Sequence, residues 1–286
     1  MTKLKIVTDS TAYLSEATAR ALDITVVPLS ITFDGESYPE GSRYTNAEFF
    51  AAIAKSPLLP TTSQPSVGLF LAAFEQLSAM GAEDIICVLI SPGISGTLYA
   101  AQAAAQLITG TRIHLFDSGH TVNVQSYMAT LAARLANCGQ SVAAILRALA
   151  QVRASSSLYF IVDTLEYLRK GGRIGGAASL IGTLLQVKPI LYLQDGKIEL
   201  FEKVRTKAKA IARVNALLAE AMGDGRPYYI SLMHVAAPQE VQRWAEQIQA
   251  VYPGQVIDIT EAGQVVGTHV GVGTIGMCFS PVVDSA

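Results

Sequence analysis

Charge is scarce in this chain. Only 15% of residues are charged, and 21 Lys and Arg nearly balance 23 Asp and Glu, leaving a formal net charge of −2. No cationic excess exists to track a phosphate backbone, which excludes nucleic acid as a partner class. Aromatic residues are also few, at 7%, although 50% of the chain is hydrophobic. The apolar content is therefore mostly Ala, Leu, Ile and Val, which suits helices packed on a buried sheet and excludes a disordered chain. Histidine occurs four times and cysteine three times, nowhere with zinc-site spacing. No metal and no cofactor are expected. Cys87 in "DIICVLIS" and Cys278 in "IGMCF" sit in apolar runs and read as buried thiols. No apolar run reaches the ~18 residues of a spanning helix. Asp9 interrupts the opening "MTKLKIVTDS" before a signal-like core can form. A reduced, cytoplasmic protein with no transmembrane segment is expected, any membrane contact being transient and at the surface.

What is present is an alternation. With 286 residues there is room for two ordinary domains or one large α/β domain. In the first half, "KLKIVTDS", "ITVVPLSITF", "DIICVLIS" and "RIHLFDS" read as strands. Between and after them come helical stretches, "NAEFFAAIAKS" with Asn46 as its expected N-cap, "SVGLFLAAFEQLSAM", a helix from Thr97 to about 107, and two over about 121–153. Pro28 breaks "ITVVPLSITF", a sign of an edge or bulge. Short apolar strands separated by helices predict a Rossmann-like parallel sheet covered on both faces. The second half differs, because "KPILYLQDGKIEL" is two alternating runs joined by Asp195-Gly196, a hairpin signal. A hairpin predicts a mixed sheet. The fold class expected is α/β with two domains, 1–153 and 154–286, the boundary lying at "RASSS".

Ligands of open α/β sheets bind at the carboxyl ends of strands. Four polar clusters fall there: "TDST" (8–11), "SPGISGT" (91–97), "DSG" (117–119) and "DT" (163–164). Each alone reads as a helix cap; four at one edge point towards a site. A fifth polar stretch, "PTTSQPS" (60–66), carries four hydroxyls, a glutamine and two prolines between helical stretches; unlike a plain linker, it reads as built to hold donors still in front of something. In "KGGRIGG", Arg173 lies among glycines that let the backbone turn, its planar fork suited to a carboxylate or phosphate. "GTHVGVGTIG" sets His269 in another glycine-rich segment.

Six motifs, "IVTDST", "TTSQPS", "SPGISGT", "DTLEYLRKGGRIGG", "LLQVKPIL" and "THVGVGTIG", occur in the order and spacing of the DegV family, which the chain resembles from about Lys3 to Phe279. The resemblance implies a two-domain α/β protein, not itself an enzyme, that binds a long-chain fatty acid between its domains. It also implies, in bacteria with a fatty-acid kinase, a partner that phosphorylates the bound acid to acyl phosphate. Carried over, the carboxylate-binding hydroxyls are Thr62 and Ser95, the arginine is Arg173 and the histidine is His269. Ser63, Gly96 and Thr97 stand beside them in the expected ligand-binding set. The chain departs from the family at Val272, where proline is usual, and at Pro92 and Leu98-Tyr99. Two rivals remain. One is a serine acyl-transferase or hydrolase using Ser95 or Ser63 with His269, against which no G-x-S-x-G elbow is found. The other is a lipid carrier without a kinase partner.

Overall fold

The computed structural model describes residues 3–180 and 187–283. Along the first half run β1 (Leu4–Asp9), α1 (Glu16–Ala21), β2 (Ile24–Val27), β3 (Ser30–Phe33), β4 (Glu36–Pro39), α2 (Asn46–Ile53) and β5 (Thr61–Ser63). Then follow α3 (Val67–Ala79), β6 (Asp84–Leu89), α4 (Thr97–Ala105), β7 (Arg112–Asp117), α5 (Val122–Asn137) and α6 (Val142–Ser155). The second half holds β8 (Ser157–Ile161), α7 (Glu166–Lys170), β9 (Lys188–Gln194), β10 (Lys197–Val204) and α8 (Lys207–Met222). It ends with β11 (Tyr228–His234), α9 (Pro238–Val251), β12 (Ile257–Glu261), α10 (Gln264–Val270) and β13 (Ile275–Pro281).

The first sheet, ordered β2-β1-β6-β7, is wholly parallel. Its strands alternate between two apolar faces, as a sheet covered on both sides requires. Ile85, Cys87 and Leu89 pack against Phe70 and Phe74 of α3 and Ala101 of α4. Ile86 and Val88 join Met128, Ala129 and Ala132 of α5 on the other face. The second sheet, β10-β9-β8-β13-β11-β12, is mixed, with only β11 and β12 parallel. Its outer face buries Val214 and Leu218 of α8 and Trp244 of α9. Its inner face, including Leu158, Phe160, Leu191 and Met233, shares one core with α5 and the first sheet. Helix α5 touches β1, β6 and β11, so it lies between the two sheets.

Several expectations need correction. The cap of α2 is Thr45, not Asn46. Thr45 accepts from the Glu48 amide (3.3 Å) while Glu48 accepts from the Thr45 amide (2.8 Å), a reciprocal capping box. "ITVVPLSITF" is two strands in two sheets, because Pro28 separates β2 from β3, which joins a small antiparallel sheet β4-β3-β5. "PTTSQPS" contains a strand and a helix cap that its sequence does not announce. Thr61–Ser63 form β5, paired with β3, and Ser66 caps α3 by accepting from the Leu69 amide (3.2 Å). The Asp195-Gly196 hairpin joins β9 to β10, with φ of 50° and 75° as the turn requires. The division expected at 153 falls in the last turn of α6, just before β8 opens the second sheet. Within "LLQVKPIL", residues 184–186 lie outside the described residues, and Lys188 begins β9.

Candidate functional site

A cavity of about 400 Å³ lies against the inner face of the second sheet, within the roughly 300–1,000 Å³ of small-molecule sites. Strand alternation turns Leu158 and Phe160 of β8, Leu193 of β9, Ile198 of β10 and Met233 of β11 into it. Val265, Val266 and Val270 of α10 and Ile90 at the end of β6 add further apolar wall. The polar wall is a small set that includes Thr62, Ser95, Arg173 and His269.

Each of these four is held by a local reason. Thr62 is opposite Ile31 in the β5–β3 ladder, and it is half-buried while Thr61 and Ser63 on either side are exposed. His269 stands in the last turn of α10, a helix whose other residues are all buried. Its Nε2 lies 2.7 Å from Thr62 Oγ1. Its ring packs over Gly171, where a Cβ would collide with Nδ1. Burial, and then the nearby Arg173 charge, push the His269 pKa down to about 4, which leaves the imidazole neutral at neutral pH. No hydrogen-bond partner for Nδ1 is found among the described residues.

Arg173 follows the glycine turn after α7. Its Nε donates to the Ile94 carbonyl (3.1 Å) and its Nη1 to the Gly171 carbonyl (2.8 Å). Both acceptors are uncharged, so among the described residues the guanidinium has no carboxylate partner. Ser95 lies in the loop before α4, its Oγ 2.9 Å from Thr97 Oγ1. That loop is pinned to the second sheet by Ser91 Oγ, which donates to the Gly196 carbonyl (2.8 Å).

Of the other expected residues, Ser63 and Gly96 line the cavity. Thr97 does not reach its wall, being fully buried in the first turn of α4. Val272, the departure in the histidine segment, is exposed between Gly271 and Gly273, both at positive φ. Ser63 makes no hydrogen bond to His269; the Nε2 partner is Thr62.

Three of the four strand-end clusters do structural work. Asp9 is fully buried and accepts from the Ile90 amide (2.8 Å), the Thr11 amide (3.0 Å) and Gln125 Nε2 (3.0 Å), tying β1, β6 and α5 together. Burial raises its pKa against those bonds. Asp117 caps the Gly119 amide (2.7 Å), and Asp163 pairs with Lys188 (3.1 Å). Only "SPGISGT" delivers a side chain to the cavity.

Among the wall residues that sequence reasoning passed over are Gln64, Thr121 and Val122. Gln64 packs its amide where a Cβ on Gly96 would stand, so that glycine is required by close approach. Thr121 is buried, and its hydroxyl has no partner among the described residues. Val122, next to it, has φ of 51°, a strained conformation for a β-branched residue. Nothing in the local sequence signals that strain. Among the described residues no cluster of three or more His, Cys, Asp or Glu is placed to hold a metal, and no helix is long and apolar enough to cross a membrane.

Comparison with known proteins gives consistent matches. A family model described as "Uncharacterised protein, DegV family" matches residues 3–282. A DegV domain-containing protein of Listeria innocua is 37% identical over 278 residues, covering 97% of this chain and 98% of that protein. Among solved structures, the fatty-acid-binding DegV family protein of Thermus thermophilus superposes with a TM-score of 0.92 at 31% identity, covering 98% of this chain and 99% of that one. The stearic acid-binding protein of Eubacterium ventriosum gives 0.90 at 27% identity, covering 97% and 98%.

Proposed function

Because the chain belongs to the DegV family over residues 3–282, we propose that it binds one long-chain fatty acid in the cavity between two α/β domains, residues 1–153 and 154–286. The acid's carboxylate is held by Thr62, Ser95 and Arg173, with His269 orienting Thr62 through their 2.7 Å contact. Ser63 and Gly96 complete the wall, and Thr97 steadies Ser95.

The observation that carries this reading is the apolar cavity with one guanidinium, not offset by a carboxylate, in its wall. Such a site calls for an anion with an oily tail. About 15 buried methylenes at ~0.8 kcal/mol each contribute roughly 12 kcal/mol before ordering costs. Desolvating the carboxylate costs several kcal/mol, offset by about 1.5–3 kcal/mol for each charge-assisted hydrogen bond. The tail supplies affinity and the polar wall sets orientation.

The protein then works in the cytoplasm as the non-catalytic partner of a fatty-acid kinase. A carboxylate oxygen attacks the terminal phosphorus of the kinase's nucleoside triphosphate, the bridging P–O bond breaks, and acyl phosphate and nucleoside diphosphate result. A serine hydrolase is disfavoured by the geometry, since the His269 Nε2 partner is a threonine and no carboxylate among the described residues orients Nδ1. The test is mass spectrometry of lipid extracted from denatured protein, where about one fatty acid per chain is expected. Background lipid alone, together with no uptake of added palmitic acid, would overturn the reading.

A further inference from the structure

In chain order α10 belongs to the second half, between β12 and β13, yet it docks on the first. Val265, Val266, His269 and Val270, spaced as one helical stripe, line the cavity. Gly263 and Gly267 face the other way. A Cβ on Gly263 would meet Tyr13 Cε1 at 2.6 Å and Glu40 Oε1 at 3.0 Å, and one on Gly267 would meet the Phe50 ring at 2.5 Å. The helix is entered from Gly263 with no side-chain cap of its own. Its first-turn amides are met instead from across the molecule. The Val265 amide donates to Glu40 Oε1 (2.8 Å) and the Val266 amide to the Tyr13 hydroxyl oxygen (3.0 Å), over 225 and 253 positions. The Tyr13 hydroxyl donates in turn to Glu40 Oε1 (3.1 Å), and Ser10 Oγ donates to Glu40 Oε2 (2.5 Å). Tyr13 holds this place with φ of 48°, a costly backbone for an aromatic residue.

We propose that Glu40, acting with Tyr13, is a positioning residue for the cavity: it fixes where α10 lies against the first half, and through α10 the valine wall and the 2.7 Å approach of His269 to Thr62. Val265 and Val266 are buried, so an amide that loses its acceptor here is left unpaired, at a cost that drives the helix out of place. His269 stands four residues beyond Val265, about 6 Å along the axis, and a two-turn helix carries a shift at one end to the other. The role belongs to the oxygens of Glu40 rather than to its charge. Its partners are an amide and two hydroxyls, and it has no ion pair among the described residues. A residue that served stability alone would leave the surroundings of His269 unchanged in every folded molecule. The proposal rests on the fatty-acid reading only for what the cavity holds.

The experiment follows the His269 ring by NMR titration and palmitic acid binding by calorimetry, both on delipidated protein. The variants are Glu40→Ala, Glu40→Gln, Tyr13→Phe and Thr111→Val, the last a remote control that loses bonds to Ser78 Oγ and the Ala82 carbonyl. Glu40→Ala is expected to raise the His269 pKa from about 4 towards its ordinary value, as the displaced ring gains water. It should also weaken palmitate about tenfold, because only the fraction of molecules with α10 in place binds well. Glu40→Gln keeps an acceptor for the Val265 amide and should restore both readouts to near the parent. Tyr13→Phe, which strands the Val266 amide, should shift both in the direction of Glu40→Ala, and it carries the test if Glu40→Ala does not fold. Thr111→Val should lower urea stability and move neither. Parent-like His269 titration and palmitate affinity in Glu40→Ala and Tyr13→Phe overturn the proposal, as does Thr111→Val moving both readouts equally. Glu40→Gln failing as badly as Glu40→Ala also overturns it. If the parent does not bind palmitate while Glu40→Ala still moves the His269 titration, the fatty-acid reading falls and the positioning role stands.

Discussion

Thr62 and Ser95 allow a cycle whose sign depends on whether a ligand is shared. Thr62→Val keeps the shape and deletes the hydroxyl that contacts His269 Nε2 at 2.7 Å. Ser95→Ala deletes the hydroxyl whose partner is Thr97, 2.9 Å away. Each bond has its own protein partner, so on the stability of delipidated protein the two losses should add to within about 0.5 kcal/mol. Thr62→Val should be the larger, at about 1–3 kcal/mol, because it strands a buried ring nitrogen on a histidine whose Nδ1 already has no described partner. Fatty-acid affinity behaves differently. If both hydroxyls donate to one carboxylate, each single change should cost about 1.5–3 kcal/mol, and the double change should differ from the sum by at least about 0.5 kcal/mol. The measurements are urea unfolding of delipidated protein and calorimetric titration with palmitic acid, for the parent, both singles and the double. Additive losses in affinity would refute the shared carboxylate. Coupling of equal size in stability and in affinity would show that the hydroxyls communicate through the protein rather than through the ligand.

His269 offers a pH test. Its pKa is pushed down to about 4 in the folded protein, against an ordinary value of 6.5. The unfolded chain therefore takes up the proton first, and the contribution of His269 to stability is whole above about pH 6.5 and declines as the pH falls towards 4. His269→Gln should flatten the stability slope in that window by up to about 1.4 kcal/mol per pH unit. Comparing parent with variant cancels the opposite trend of Asp9 and Glu40, whose pKa values are raised by burial; an NMR titration placing His269 near 6.5 would sink the argument. Gly276 offers a steric test, because in the second sheet it is paired with Phe160 on one side and Met233 on the other. An added methyl would meet Met233 Cγ at 3.0 Å, Phe160 Cβ at 3.1 Å and the Tyr159 carbonyl at 2.8 Å. Gly276→Ala should therefore push cavity-lining side chains inward, destabilise by about 1–3 kcal/mol and shift the extracted fatty acids towards shorter chains; an unchanged chain-length profile would contradict it.

The local sequence carried what depends on period and turn chemistry. Runs such as "DIICVLIS" are apolar at every position because both faces of their strand are covered, which made the parallel sheet legible. Asp195-Gly196 announced its hairpin because few residue pairs accept two positive φ values. Asp34-Gly35, with φ of 53° and 76°, carries the same signal for the β3–β4 turn, just beyond the proline-broken run. In "PTTSQPS" the polar residues were visible and their separate tasks were not. Thr62 reaches the cavity, Ser66 caps α3, and Gln64 packs over Gly96. Pairing with β3 turns Thr62 to the cavity, and a strand partner as far back as Ile31 leaves no mark in the segment itself.

Composition, hydrophobic period and glycine placement thus determined the α/β class, the parallel first sheet, the mixed second sheet and the set of polar segments from which any site would be drawn. Tertiary structure decided which of those segments meet. Asp9 has the residue type of a ligand-binding group and spends its hydrogen bonds inside the core. Thr62 and His269, 207 positions apart, come within 2.7 Å, and Arg173 reaches the Ile94 carbonyl across 79 positions. Local sequence is blind to such meetings because they follow from how α10 and the turn after α7 dock against the small sheet and the "SPGISGT" loop. That docking is set by apolar burial summed over dozens of side chains, and burial has no direction that a short motif can encode.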